Sequence, residues 1–181
     1  MPYSRERGRK QAMHYHQYYP VDVINGPGTR ATLFVSGCEH QCPGCYNQST
    51  LRLDGGLQFD QAMSDRVISD LNDSRIKRRG LSLSGGDPLH PANVPHVLAL
   101  VKRVRAECPG KDIWCWTGYL LGELSEAQRE LVALLDVLVD GKFEKTLADP
   151  GLLWRGSSNQ QIHDLNAWRD AGERIPCLVC S

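Results

Sequence analysis

Apolar residues recur along this chain in two alternating rhythms. Ala31-Thr32-Leu33-Phe34-Val35-Ser36 is a short apolar, β-branched run, the pattern of a buried strand, and Gly26-Pro27-Gly28 before it is a turn. Phe59, Met63, Val67 and Leu71 then repeat every four residues and share one helical face. That helix is expected to run out near Arg75-Ile76-Lys77-Arg78-Arg79, with cations complementing its dipole and Gly80 as its cap. Leu81-Ser82-Leu83-Ser84 is a second strand, ended by Gly85-Gly86-Asp87-Pro88. Val94, Val97, Leu98, Val101 and Val104 mark a second amphipathic helix, broken at Cys108-Pro109-Gly110. Asp112 to Trp116 is a third strand, followed by Thr117-Gly118-Tyr119. Leu124, Ala127, Leu131 and Leu135 suggest a third helix, and Val137-Leu138-Val139 a fourth strand closed by Asp140-Gly141-Lys142-Phe143.

Strands and helices in strict alternation argue for parallel strands joined by crossover helices. In such sheets reactive groups collect beyond the carboxyl ends of the strands. Four strands are too few for a closed eight-stranded barrel. The expected fold is therefore α/β, an open partial (βα) barrel with parallel strands. Its four strand ends would carry a cysteine loop, Gly-Gly-Asp-Pro, Trp-Thr-Gly-Tyr and Asp-Gly-Lys-Phe.

Composition narrows the partners. The 181 residues suit one domain with a real core, at 41% hydrophobic and 23% charged. Formal net charge is zero, so no global field draws the chain to nucleic acid or an anionic membrane. No apolar run approaches the roughly 18 residues of a membrane span. Arg5, Glu6, Arg7, Arg9 and Lys10 precede no apolar segment, unlike a secretory signal, and Met13 is a second possible start. A cytoplasmic address is the default expectation, with no nucleic acid and no membrane as partner.

Seven cysteines are many for a reducing compartment, where clusters point to metal or redox chemistry rather than disulfides. Cys108 and Cys115 stand apart and read as packing residues. Cys177 and Cys180 form a terminal C-x-x-C of open role. Cys38, Cys42 and Cys45 fall within eight residues on a Gly- and Pro-containing loop. Alone, these three thiols fit two chemistries equally. One is structural zinc, with His40 or a remote residue as fourth ligand. The other is a cubane iron–sulfur cluster with one iron left open.

The motifs taken together carry a resemblance. Cys-x3-Cys-x2-Cys after the first strand and Gly-Gly-Asp-Pro after the second resemble the radical S-adenosylmethionine superfamily. Tyr18-Tyr19-Pro20-Val21-Asp22, Gly26-Pro27-Gly28-Thr29-Arg30, Cys42-Pro43-Gly44-Cys45-Tyr46-Asn47, Trp116-Thr117-Gly118-Tyr119, Val139-Asp140-Gly141-Lys142-Phe143 and Trp154-Arg155-Gly156-Ser157-Ser158-Asn159-Gln160 extend it. As a set they resemble the activating proteins of anaerobic (class III) ribonucleoside-triphosphate reductases. The likeness spans about 13–165. It implies a radical S-adenosylmethionine domain there; the charged 1–12 reads as a disordered extension, and 166–181, without counterpart in the resemblance, as a tail of unknown role.

The resemblance implies a [4Fe-4S] cluster on Cys38, Cys42 and Cys45, and S-adenosyl-L-methionine at the open iron. Reductive cleavage would give methionine and a 5′-deoxyadenosyl radical, which would make a glycyl radical on the large reductase subunit. The donor would be a reduced flavodoxin-type protein, and no catalytic side chain beyond the cluster is implied. By motif position, Gly44, Cys45 and Tyr46 would lie on the adenosine side, and Gly86 would face the methionine amino group. Thr117 and Lys142 would be candidates for ribose or carboxylate. Asp87 stands where the more common motif has Glu, and His90 reads as a packing or hydrogen-bonding residue. Two rivals remain at this level: activation of another glycyl-radical enzyme such as pyruvate formate-lyase, and a zinc-binding module.

Overall fold

The computed structural model describes residues 11–45 and 48–170. Seven strands form one open mixed sheet: β1 (His14–Asp22), β2 (Arg30–Val35), β3 (Leu57–Gln58), β4 (Gly80–Gly85), β5 (Asp112–Trp116), β6 (Val137–Asp140) and β7 (Gln161–Asp164). Their order is β3-β1-β2-β4-β5-β6-β7. The centre, β2-β4-β5-β6, is parallel and keeps sequence order. Helices α1 (Gln61–Asn72), α2 (Val94–Glu107) and α3 (Glu126–Val132) make the three crossovers. Equal-handed crossovers that advance one strand at a time deliver their helices to one face, so α2 lies between α1 and α3.

Alternation within the strands separates two cores. Leu33, Leu83, Ile113 and Leu138 join Val67, Leu71, Val97 and Val101 of the helices in the larger one. The opposite face is polar at β2 and β4, where Thr32, Ser82 and Ser84 lie buried. It turns aromatic at β5, where Trp114 packs with Val137, Val139 and Ile162, flanked by Trp116 and Trp154. Fully buried Arg30 closes the base of this face. Its guanidinium reaches Ser82 Oγ at 2.7 Å, the Leu81 carbonyl at 3.1 Å and Asp112 at 2.5 Å, and lies 5.7 Å from the Trp114 ring centre.

The structure differs from the sequence expectations at the sheet edges and at the end of α1. Three antiparallel strands, β1, β3 and β7, flank the parallel centre. Helix α1 starts at Asp60, whose side chain accepts from the Met63 amide at 2.8 Å, and stops at Asn72. The basic run lies beyond the helix, and Gly80 opens β4 rather than capping α1. Arg78 still serves the helix end: buried, it donates to the Asp70 carbonyl at 2.6 Å and to the Pro20 carbonyl. Cys108 and Cys115 are buried, as expected of packing residues. Past position 165, α4 (Leu165–Asp170) continues the packed chain, with Leu165 in the core and Trp168 against it. Residues 1–10, Tyr46, Cys177 and Cys180 lie outside the described residues.

Arg30 is fully buried while the Asp112 side chain is 23% exposed, so removing Asp112 leaves a buried guanidinium short of its counter-charge. Asp112→Ala should therefore destabilise the fold by about 3 kcal/mol. Anaerobic urea unfolding checks this, and an unchanged midpoint would deny Arg30 its place as the base of the inner face.

Candidate functional site

The site is built where the parallel strands end. Beyond β2 the chain enters the cysteine loop, which is pinched at its base. Gly37 N donates to the Thr50 carbonyl at 2.6 Å, and Cys38 N to the Leu51 carbonyl at 3.0 Å. Inside the loop, Cys45 N returns to the Cys42 carbonyl at 3.1 Å. Pro43 and then Gly44, at φ +73°, supply the two central positions of that turn, the second requiring positive φ. Gly44 thus sets the fold of the loop, and the turn brings Cys45 back toward Cys42.

Three contacts tie this loop to the neighbouring strand ends. His40 Nε2 and Asp87 Oδ2 are 2.6 Å apart, with both side chains at most 5% exposed. The His40 ring stacks edge-on against Tyr119 at 4.4 Å, and Gly118 leaves the room, since a Cβ there would fall 2.7 Å from His40 Nε2. Tyr119 in turn donates its hydroxyl to Glu39. Burial, then that bond, pushes the Tyr119 phenol well above its ordinary range.

Asp87 is the centre of this arrangement. Its carboxylate is buried and accepts from Thr117 Oγ1 at 2.8 Å, Gly118 N at 2.9 Å and Leu89 N at 2.9 Å, besides its contact with His40. Thr117 Oγ1 also accepts from the Tyr119 amide at 3.2 Å. Beside it, Gly86 lies against backbone: its amide donates to the Val35 carbonyl at 2.7 Å, and a Cβ would stand 2.5 Å from the Gly37 oxygen. The glycine pair therefore lets the β4 end close onto the start of the cysteine loop.

These ends line a cavity of about 620 Å³. Cys38, Cys42 and Cys45 stand on one wall, and Gly86, Thr117 and Gly141 contribute from β4, β5 and β6. Leu152, Trp154 and Arg155 close another side. The volume is in the range of small-molecule sites. Lys142 is exposed and lines a smaller neighbouring pocket with Glu39 and Tyr119. Tyr46 lies outside the described residues. His90 accepts the Ala92 amide on Nδ1 at 3.0 Å, the hydrogen-bonding role expected of it.

Thiol spacing bears on the two metal chemistries. Zinc at about 2.3 Å from each sulfur holds its thiolates within about 4 Å of one another. Among the described residues, the group of donor atoms mutually within 4.8 Å is Cys38, His40 and Asp87, not the three cysteines. His40 and Asp87 already satisfy each other, so that group reads as a clamp. The three half-buried thiols are not all within 4.8 Å of one another, and they line a cavity with room for a group larger than one ion. Burial pushes the Cys38 thiol up to about 11.

Comparison with known proteins agrees. The family described as "4Fe-4S single cluster domain" matches residues 24–163. The Escherichia coli K12 anaerobic ribonucleoside-triphosphate reductase-activating protein is 69% identical over 153 residues, covering 84% of this chain and 99% of that one. Its Vibrio cholerae counterpart is 68% identical over 151 residues, covering 83% and 97%. The chain belongs to this family. Even the protein of the same name from phage T4 is 46% identical over 150 residues, covering 83% of this chain and 93% of its own.

Sequence reasoning placed the thiols, Gly86 and Thr117 correctly at strand ends. It missed His40 as an anchor, having weighed it only as a zinc ligand. It also gave no role to Trp116, Trp154 or Arg155, although their motifs were visible. Asp87→Ala would leave four groups, on the loops after β2, β4 and β5, without their acceptor. It should cost more than about 3 kcal/mol and lower iron uptake on anaerobic reconstitution. Full uptake by a stable Asp87→Ala protein would contradict the clamp.

Proposed function

We propose that this chain activates anaerobic ribonucleoside-triphosphate reductase by generating a glycyl radical on its large subunit, as a radical S-adenosylmethionine enzyme. The observation that carries the reading is the set of three thiols lining a cavity beyond parallel strand ends. Family membership supports the same partner. The open, partly parallel sheet with one-way crossovers supports reading the fold as an open partial (βα) barrel.

Cys38, Cys42 and Cys45 would hold a [4Fe-4S] cluster. Bound there, the group would supply one-electron reduction of S-adenosyl-L-methionine, the chemistry by which methionine and a 5′-deoxyadenosyl radical would form and a reductase glycine would lose hydrogen. The protein's own work is positional. The Asp87 clamp fixes the cysteine loop against the β4 and β5 ends. Gly86 has its N–H engaged by Val35, and among the described residues no hydrogen bond uses its carbonyl. That carbonyl suits the methionine amino group. Thr117 commits its hydroxyl to Asp87, so its contribution to the ligand is the cavity wall. Trp116 and Trp154 give the cavity an apolar side that excludes water; Trp116 Nε1 is bound to the Trp154 carbonyl at 2.7 Å.

Gly44, Cys45 and Tyr46 on the adenosine side, and Lys142 near the ribose or carboxylate, complete the assignment. A reduced flavodoxin-type donor, a cytoplasmic setting, and no nucleic-acid or membrane partner go with it. No helix among the described residues is long and apolar enough to cross a membrane.

Anaerobic reconstitution should load about four irons per chain. The reduced protein should then convert S-adenosylmethionine to 5′-deoxyadenosine, and Cys38→Ala, Cys42→Ala and Cys45→Ala should each abolish that turnover. Tight zinc binding without iron or sulfide uptake would overturn the reading.

A further inference from the structure

Arg155 is unexplained by everything above. It stands on the cavity wall, where it is the one Lys or Arg among the described lining residues. Its hydrogen bonds are one-sided. Nη1 donates to the Ser158 carbonyl at 3.1 Å and to the Gln160 carbonyl at 2.7 Å. Nε is buried and has no partner. Among the described residues no hydrogen bond or ion pair uses Nη2. Among the described lining residues the one carboxylate, Asp149, is turned instead to the Gly151 amide at 2.8 Å.

Geometry gives this asymmetry a meaning. In a planar guanidinium, Nε and Nη2 point their hydrogens the same way and form the side-on fork that matches a carboxylate. Anchoring Nη1 fixes the plane and leaves that fork free. The carbonyls holding Nη1 are themselves placed. Gln160 Oε1 accepts from the Gly156 and Ser157 amides, and Gln160 Nε2 donates to the Gly141 carbonyl. Buried Ser157 accepts the Glu144 amide on its hydroxyl. The guanidinium is thus mounted on the loop between β6 and β7. A buried N–H without an acceptor is costly, and a ligand oxygen is what would relieve it.

We propose that Arg155 binds the carboxylate of the small molecule held in this cavity through its Nε/Nη2 edge. Resting on the functional reading above, that molecule is S-adenosylmethionine and the group is its methionyl carboxylate. Arg155, not Lys142, then provides the fixed positive charge that this end of the ligand meets. The fork orients the carboxylate, while the Gly86 carbonyl takes the neighbouring amino group.

A ligand-directed double-mutant cycle tests this. The probes are S-adenosylmethionine and its decarboxylated analogue. They are measured by anaerobic equilibrium dialysis on cluster-loaded, oxidised protein, so that binding is read without turnover. Arg155→Gln should weaken S-adenosylmethionine binding about 10- to 100-fold, the loss of a charge-assisted bond, and change analogue binding less than about three-fold. Arg155→Lys, which keeps charge but not the fork, should restore little. Lys142→Gln should affect both probes alike. Equal losses for the two probes in Arg155→Gln would show general damage to the cavity and overturn the proposal, as would full rescue by lysine. So would a carboxylate-specific loss in Lys142→Gln with none in Arg155→Gln. Failure of the unchanged protein to bind S-adenosylmethionine would instead sink the functional reading, and this inference with it.

Discussion

One buried carboxylate holds the site together. Asp87 accepts hydrogen bonds from its own loop, from two groups at the end of β5, and contacts His40 of the cysteine loop. Burying a carboxylate is expensive unless its lone pairs are filled. Here four donors fill them, and each comes from a segment that must be correctly placed. The interaction therefore works only when the β2, β4 and β5 ends are in register, and it converts sheet register into thiol position. Asn93 adds a second bridge, its side-chain amide reaching the Ser36 and Asp87 carbonyls.

That constraint explains the glycines and the polar inner face. The β4 end can close onto the cysteine loop only where backbones touch, which excludes a side chain at Gly86. Behind it, the sheet must keep one face open for a ligand while remaining folded. Apolar packing on the helix side provides the stability. On the other side, Arg30, Ser82 and Thr32 pair with one another's surroundings, Thr32 through Asp22 at 2.6 Å. Phe34, held edge-on against Tyr19, lines the cavity from β2, and Trp114, Trp116 and Trp154 confine the face at the β5 edge.

How much of this was legible follows from the range of each signal. The central strands were readable because strands buried on both faces are short apolar runs between turns. The cysteine loop was readable because its three ligands lie within eight residues. Strand β1 was not, since His-Tyr-His-Gln-Tyr-Tyr-Pro-Val-Asp lacks an apolar rhythm and contains Pro20. The structure tolerates that proline because β3 pairs with β1 only at His14 and Tyr15, leaving Pro20 on a free edge. Strand β7 is four residues and gave no pattern. The end of α1 was misplaced because a basic run after a helix looks like its last turn. The pairing of His40 with Asp87 spans 47 positions and the mounting of Arg155 depends on backbone carbonyls. Neither leaves a local trace, so only the fold displays them.

The central claim is that this cavity makes a radical that ends on the reductase. Electron spin resonance on the purified large subunit, mixed anaerobically with this protein, reductant and S-adenosylmethionine, tests it most directly. The account predicts a glycyl doublet that appears only when all four components are present. A cluster-loaded protein that cleaves S-adenosylmethionine yet never yields the doublet would contradict it.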